Sequence, residues 1–409
     1  MIGLIIVRRI GEAAFPVALL VGIALTRGLP EAALIVGIRV AASAISSPFR
    51  ARLLDRFGPR RLVPLQSTVT VLALTGFVFS AVTRSSPAAV VILAGILQAI
   101  SSPSVDAVIR TQWRVLSNSE EEIRSLHALD SIIEEASYLV GPTLASVALI
   151  VFGAQNAMLL LGGVGAAGVL LAYLPKTLRA ALRAEPPVRP SKTEATAAPP
   201  TLTAFARALA GPIVDSNLQR IVTPLLLLGA ALGSLGILVP AISQGMGNIA
   251  YSGFLFSAIS VGGLIGGLWY GAAKLKSRLS TRQAVFSIVL GAPLILGVWA
   301  LNPWLLVPIL IVSGLAVTPL YINAYLLMDQ DLPKAVAHEA NTWVSVGNNL
   351  GYTFGIVFGG WLLSATGIGT VGVLVTAIGA TTVVFAITVL VRGRRPTSEK
   401  IQSDAVEAS

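Results

Sequence analysis

Carboxylates at Glu12, Asp106, Asp130, Glu134 and Glu135 stand inside segments of this 409-residue chain that are otherwise apolar. An ionisable group in such a segment costs about 3 kcal/mol unless it is paired or hydrated, so each one is a functional candidate. The densest set is His127, Asp130, Glu134 and Tyr138, spaced i, i+3, i+7 and i+11 and therefore on one helical face. Glu135 lies about 100° round from that face. Glu134 falls roughly 12 Å from the nearer end of its segment, deep enough for a carboxyl to act as a proton carrier. Glu12 is placed at similar depth, and Asp106 in the same half of its own segment. Cations stand ready to neutralise two of these acids: Arg8 and Arg9 beside Glu12, and Arg110 one turn from Asp106. A purely structural ion pair is the competing reading there.

A second polar stripe runs through His338, Thr342, Ser345, Asn349 and Tyr352, with Glu339 and Asn341 alongside. A stripe of that length in a helix must face protein or water, not lipid. Arg39, Tyr321, Asn323 and Tyr325 complete the candidate lining of a polar cavity. Tyrosine and asparagine also hydrogen-bond one helix to another, which is the alternative for the last three. His127 and His338 are the two histidines of the chain and fit polar helix ends better than a metal site. No metal, no cofactor and no catalytic role is expected, because there is no cysteine, no nucleophile elbow and no phosphate loop.

The elements that hold these groups follow from composition. Hydrophobic residues make up 55% of the chain and charged residues 12%, about half the share of an ordinary soluble protein. Mean hydropathy is +0.81. Apolar runs of about 20 residues, long enough for a hydrocarbon core of about 30 Å, recur throughout and must be helical to satisfy their own backbone. Cutting at polar and Pro/Gly-rich breaks predicts twelve spans: 3–26, 31–50, 62–83, 87–111, 126–152, 155–174, 219–242, 249–273, 281–300, 303–328, 336–365 and 367–391. The fold class is an all-α polytopic membrane protein. A Pro- and Ala-rich stretch, AEPPVRPSKTEATAAPPTL, divides it into a six-helix bundle over 1–174, a linker with amphipathic flanks over 175–218, a second six-helix bundle over 219–391, and a tail over 392–409.

Net charge is +10, and the basic residues are distributed unevenly. If the N-terminus is inside, the inner loops collect Arg50 to Arg61, Arg114, Arg124, the linker cations and Lys274 to Arg282, while the outer loops hold only Arg27 and Arg84. The positive-inside rule then places both termini in the cytoplasm and explains the charge without nucleic acid. MIGLIIVRRIGEAAFPVALL carries its arginines inside the apolar run and no small-residue cleavage site after it, so it reads as a first helix. The halves also repeat: SSPSVDAVIR aligns with VTPLYINAYL, and LHALDSIIEEASY with AHEANTWVSVGNN, which sets Pro103 opposite Pro319 and His127 opposite His338.

Between the second and third spans lies ARLLDRFGPRR. Twelve spans, two halves, a central linker and this loop together resemble the major facilitator superfamily, whose loop signature is roughly G-x-L-x-D-R-x-G-R-R. Leu53, Asp55, Arg56, Gly58, Arg60 and Arg61 stand in register, and Arg52 adds to the basic set; Ala51 and Pro59 depart from the pattern. The resemblance implies a cytoplasmic gate, with Asp55 near the N-terminus of the eleventh helix, around Pro333 to Ala337. A second signature, associated with antiporters, is partly kept as SYLVGPTLAS, with Gly141 and Pro142 intact. A third, R-x-x-Q-G in the fourth span, keeps Gln98 but has Gly95 where the arginine would stand. The second-half echo of the loop, GGLWYGAAKLKSR, has Gly271 for the aspartate.

The resemblance implies a monomeric transporter of the inner membrane, with protons, a small-molecule substrate and the bilayer as its partners. Export of small organic molecules, drugs or amphipathic cations among them, by proton antiport is the leading expectation. Protonation of Glu134 and Glu135, with Glu12 or Asp106, would favour one facing state. An importer or uniporter of a polar solute, and a sensor that keeps the fold and moves nothing, are the alternatives.

Overall fold

The computed structural model describes residues 2–103, 120–172, 216–273, 275–296, 302–331 and 337–393. Asp106, Arg110, nearly all of the linker and the tail from 394 onward lie outside the described residues. The first half contains α1 (Ile2–Arg27), α2 (Leu29–Phe57), α3 (Pro59–Val82), α4 (Ala88–Ser101) and α5 (Glu120–Ala172). The second contains α6 (Ser216–Gly245), α7 (Ser252–Ala272), α8 (Leu279–Leu294), α9 (Pro303–Gly314), α10 (Val317–Asp331), α11 (Ala337–Thr366) and α12 (Ile368–Gly393).

Two features of the element list carry information. α5 holds the fifth and sixth expected spans in one element, turned back at Gly153, whose φ of 75° is open to glycine. α9 and α10 together make the tenth span, interrupted at Leu315 and Ala316, where Pro319 has no N–H to return to Leu315. α4 stops at Ser101, two residues before the aligned Pro103. Eight stretches among the described residues are long and apolar enough to cross a membrane. α11 has the length but not the apolarity, because its polar stripe occupies the first half of the helix.

Packing repeats the duplication. α1 lies chiefly against α5, and α6 against α11; α2 meets α4 as α7 meets α9 and α10. α1 and α6, the first helices of the two halves, are also the most enclosed spans, 67% and 83% buried, whereas α12 is 28% buried. Glycine makes these approaches possible. Gly229 and Gly233 of α6 set their backbone against Asn348 and Tyr352 of α11, while Gly351 and Gly355 of α11 do the same to Leu226 and Ala230. This small-residue spacing of four is the usual way for helices without a hydrophobic drive to associate in lipid.

The turns at Gly28, Gly153, Gly247 and Gly367 define one end of the bundle, and the turn at Gly58 the other. Arg27 is basic at the Gly28 end, against the charge trend, and its side chain explains why. It donates to the carbonyls of Ala81 (2.7 Å), Ser80 (3.0 Å), Thr83 (2.7 Å) and Ser86 (2.8 Å), and pairs with Glu31 at 2.7 Å. A guanidinium here satisfies the last carbonyls of α3, where a cation is favoured. Arg27→Ala should cost about 3 kcal/mol, seen as a lower thermal midpoint for the purified protein. A midpoint unchanged within error would contradict this role.

Candidate functional site

The halves meet along α2 with α11 and along α5 with α7. A Cβ at Gly37 would collide with Val357, and one at Gly360 would stand 2.5 Å from the Cβ of Ala33. Thr353 donates to the Gly37 carbonyl at 3.3 Å. On the other seam Thr143 and Ser257 share a hydrogen bond of 2.8 Å, Ser146 donates to the Ala250 carbonyl, and Gly253 leaves no room for a Cβ beside the Pro142 carbonyl. All of these contacts lie toward the Gly28 end. Gly141 and Pro142 thus sit where three helices cross. Gly141 is against Ala13 of α1, with its added Cβ 2.8 Å from the Ala13 Cβ, and Pro142 faces α7.

Below this closure, toward the Gly58 end, the polar groups gather. Glu12 pairs with Arg8 one turn earlier on α1, and Arg9 reaches across to Glu134 of α5 at 3.0 Å. Both arginines are enclosed, Arg8 at 1% and Arg9 at 6% exposure, whereas the Glu12 and Glu134 side chains are 44% and 37% exposed. The cations are enclosed by protein and the carboxylates are partly exposed. Arg8 and Arg9 were seen in the sequence as partners for Glu12; that one of them crosses to Glu134 depends on how α1 and α5 pack.

Glu12 lines a cavity of about 160 Å³ together with Phe15, Arg39, Thr70, Gln98 and Ser102. Arg39 Nε donates to Gln98 Oε1 at 2.7 Å, and the guanidinium carbon stands 5.3 Å over the Phe15 ring. Sequence reasoning noticed Gln98 only as a remnant of a broken signature. Position 95 is tight: a Cβ there would stand 3.1 Å from the Phe77 ring. Arg39, from a different helix, brings a guanidinium to Gln98 instead. Arg50, three turns along α2 on the same face, donates to the Ser102 and Ser43 carbonyls at 2.6 and 2.9 Å and so closes the C-terminal end of α4.

The remaining candidates divide. Tyr138 of α5 is 53% exposed and Tyr325 of α10 41% exposed, while Tyr321 is half-buried against the core. Asn323 does not line the cavity. It is fully buried, accepts from the Tyr270 hydroxyl at 3.0 Å and donates to Gln283 Oε1 at 2.8 Å and the Leu279 carbonyl at 2.9 Å, tying α7, α8 and α10 together. Tyr352 is close enough to Arg39 for their charges to interact, with Ser345 and Asn349 on the turns preceding it in α11.

Gly58 has φ 75° between α2 and α3, and Pro59 opens α3 as its first residue. A Cβ at Gly58 would meet nothing within 4 Å, so the glycine serves the backbone alone. Arg56 and Arg61 are exposed at this turn. The side chains of Arg52, Asp55 and Arg60 lie outside the described part, as do those of Asp130, Glu135 and Asn341, and so does the segment proposed to receive Asp55.

The Major Facilitator Superfamily model matches residues 1–344. No curated protein matches the chain in sequence. Among solved structures, the nucleoside transporter NupG is 15% identical, with 96% of this chain and 98% of that one covered and a TM-score of 0.68. A bacterial homologue of the iron transporter ferroportin, in an inward-facing state, is 14% identical over 94% and 96%, with a TM-score of 0.70. A D-xylose–proton symporter is 13% identical over 94% and 96%, with a TM-score of 0.62. At these identities the likeness is one of fold.

Proposed function

The chain belongs to the Major Facilitator Superfamily, and from that premise we propose that it exports a small organic solute by proton antiport, alternating access between the two faces of a cytoplasmic membrane. Both termini and the Gly58 end would be cytoplasmic, following the charge of the loops. Contact between the halves at the Gly28 end then corresponds to a form open to the cytoplasm.

The observation that carries this reading is the pair of bridges, Arg8–Glu12 and Arg9–Glu134, with buried cations and partly exposed carboxylates. A proton arriving through the cavity meets Glu12, and Glu134 is open to one at its own exposed side chain. Protonating either acid takes one counter-charge away from an enclosed guanidinium, at a cost of about 1.5–3 kcal/mol for a charged hydrogen bond. Repacking of α1 against α5 relieves the cost, so the proton biases the conformational equilibrium. Glu12 also borders the solute cavity. Solute and proton therefore act on the same helices, as exchange requires. The Arg39–Gln98 contact supplies a guanidinium to the Gln98 position by another route.

The test uses protein in liposomes with a pH dye trapped inside and an acidic lumen. Glu134→Gln should lose uphill transport at least about ten-fold while keeping downhill exchange, because the coupling acid is gone and the cavity is not. Glu134→Gln and Glu12→Gln both pumping normally with unchanged pH dependence would sink proton antiport. A second reading, an importer or uniporter of a polar solute, is favoured by one feature: Gly95, packed against Phe77, stands where the usual signature has its arginine. Solved relatives of the fold include a nucleoside transporter and a D-xylose–proton symporter. Net solute accumulation without proton release would favour that reading.

A further inference from the structure

Arg39 is placed ten residues into α2, about 15 Å from the Gly28 end and so near the middle of a hydrocarbon core of about 30 Å. Its head group is fixed on two sides, by Gln98 along the Nε edge and by the Phe15 face. The acids forming salt bridges among the described residues are engaged elsewhere: Glu12 with Arg8, Glu134 with Arg9 and Glu31 with Arg27. The charged and titratable groups that act on Arg39 are another cation, Arg50, and the Tyr352 phenol. Glu12 shares the cavity wall but belongs to the Arg8 bridge. A held cation at the membrane midplane, with a second cation on the same helix face, calls for an anion that the described protein does not supply.

We propose that the transported solute carries an anionic oxyacid group, carboxylate or phosphate, which docks on the Arg39 fork. This rests on the transport reading and narrows it. With Nε held by Gln98, the two terminal nitrogens of the guanidinium are left as a fork that matches two oxygens of one oxyanion, a geometry a lysine cannot offer. Accepting from Arg39 also fixes the Gln98 amide, so its NH2 is a further donor, and the Ser102 hydroxyl lies on the same wall. A cavity of about 160 Å³ suits a small acid better than a drug-sized molecule, whose sites run to about 300–1,000 Å³. The same positive wall disfavours amphipathic cations.

The experiment compares matched probes on the detergent-purified full chain by thermal unfolding: benzoate, phenyl phosphate, benzamide and benzylammonium, with hexanoate, hexanamide and hexylamine as an aliphatic set. At least one oxyanion should raise the midpoint above its neutral and cationic matches. Benzoate ahead of phenyl phosphate assigns a carboxylate, and the reverse a phosphate. Arg39→Gln should weaken the preferred oxyanion at least about ten-fold, and Arg39→Lys several-fold, since it keeps charge and loses the fork. If Arg39→Gln does not fold, Gln98→Ala tests the tether and should weaken binding about three-fold. The proposal is overturned if no oxyanion exceeds its neutral match, if benzylammonium or hexylamine is preferred, or if the preference survives these substitutions. Binding without any flux in liposomes would instead count against transport and leave the anion site standing.

Discussion

Gly253→Val is expected to lower solute flux at least about ten-fold while leaving each six-helix half folded. The side chain would enter the space now held by the Pro142 carbonyl and the Ser146 hydroxyl, which meet Gly253 where α5 crosses α7. Overpacking of this kind costs about 1–3 kcal/mol. Here the cost falls on one conformation, because these contacts exist when the halves close at the Gly28 end. Each 1.4 kcal/mol changes a two-state ratio by about ten-fold, so the closed seam would lose population to the form that opens there. The measurement is initial flux in liposomes beside the thermal midpoint of the same preparation. Wild-type flux from Gly253→Val would mean that this seam does not open during the cycle. Gly141→Val makes a useful contrast, since Gly141 packs against Ala13 within one half. It should lower the midpoint and the flux together.

Exchanging the charges of the Arg9–Glu134 bridge should give the second large effect. Arg9→Glu alone sets two acids against each other at a site where the native pair stands at 3.0 Å. Glu134→Arg alone adds a third cation beside Arg8 and Arg9, which are enclosed. Either change sets like charges against each other beside an enclosed guanidinium site, and flux should fall about a hundred-fold. The double exchange, Arg9→Glu with Glu134→Arg, restores opposite charges and should recover at least about a tenth of wild-type flux, a coupling of about 4 kcal/mol. A double variant no better than the worse single one would show that the two residues do not act as a pair.

Much of the architecture was legible because lipid imposes a severe rule. Every apolar run must satisfy its own backbone, so span positions follow from hydropathy and Pro/Gly breaks, as with the predicted 249–273 and the observed Ile249–Ala272 stretch. Gly58 was legible too, since its signature position coincides with a positive φ. Partners across helices were not legible. Whether Arg8 or Arg9 takes Glu12 depends on a rotation of α1 that no spacing rule gives. Asn323 reads like cavity lining in the sequence, yet Tyr270 and Gln283 enclose it, because which face of α10 meets α7 and α8 is a matter of packing. Arg39 and Gln98 stand 59 residues apart in sequence, and their meeting at 2.7 Å could not be read from a motif that looks for its arginine on the same helix.

The native chain contains no cysteine, so a single introduced thiol reports unambiguously on access from either side of a membrane. Tyr138→Cys on α5, an exposed side chain one turn before Pro142, is the position to label with an impermeant maleimide in vesicles of known orientation. The account predicts reaction from the Gly58 side in the otherwise wild-type protein, and a shift to the Gly28 side when Gly253→Val is added. Reaction from one side only, the same in both proteins, would contradict alternating access across this seam.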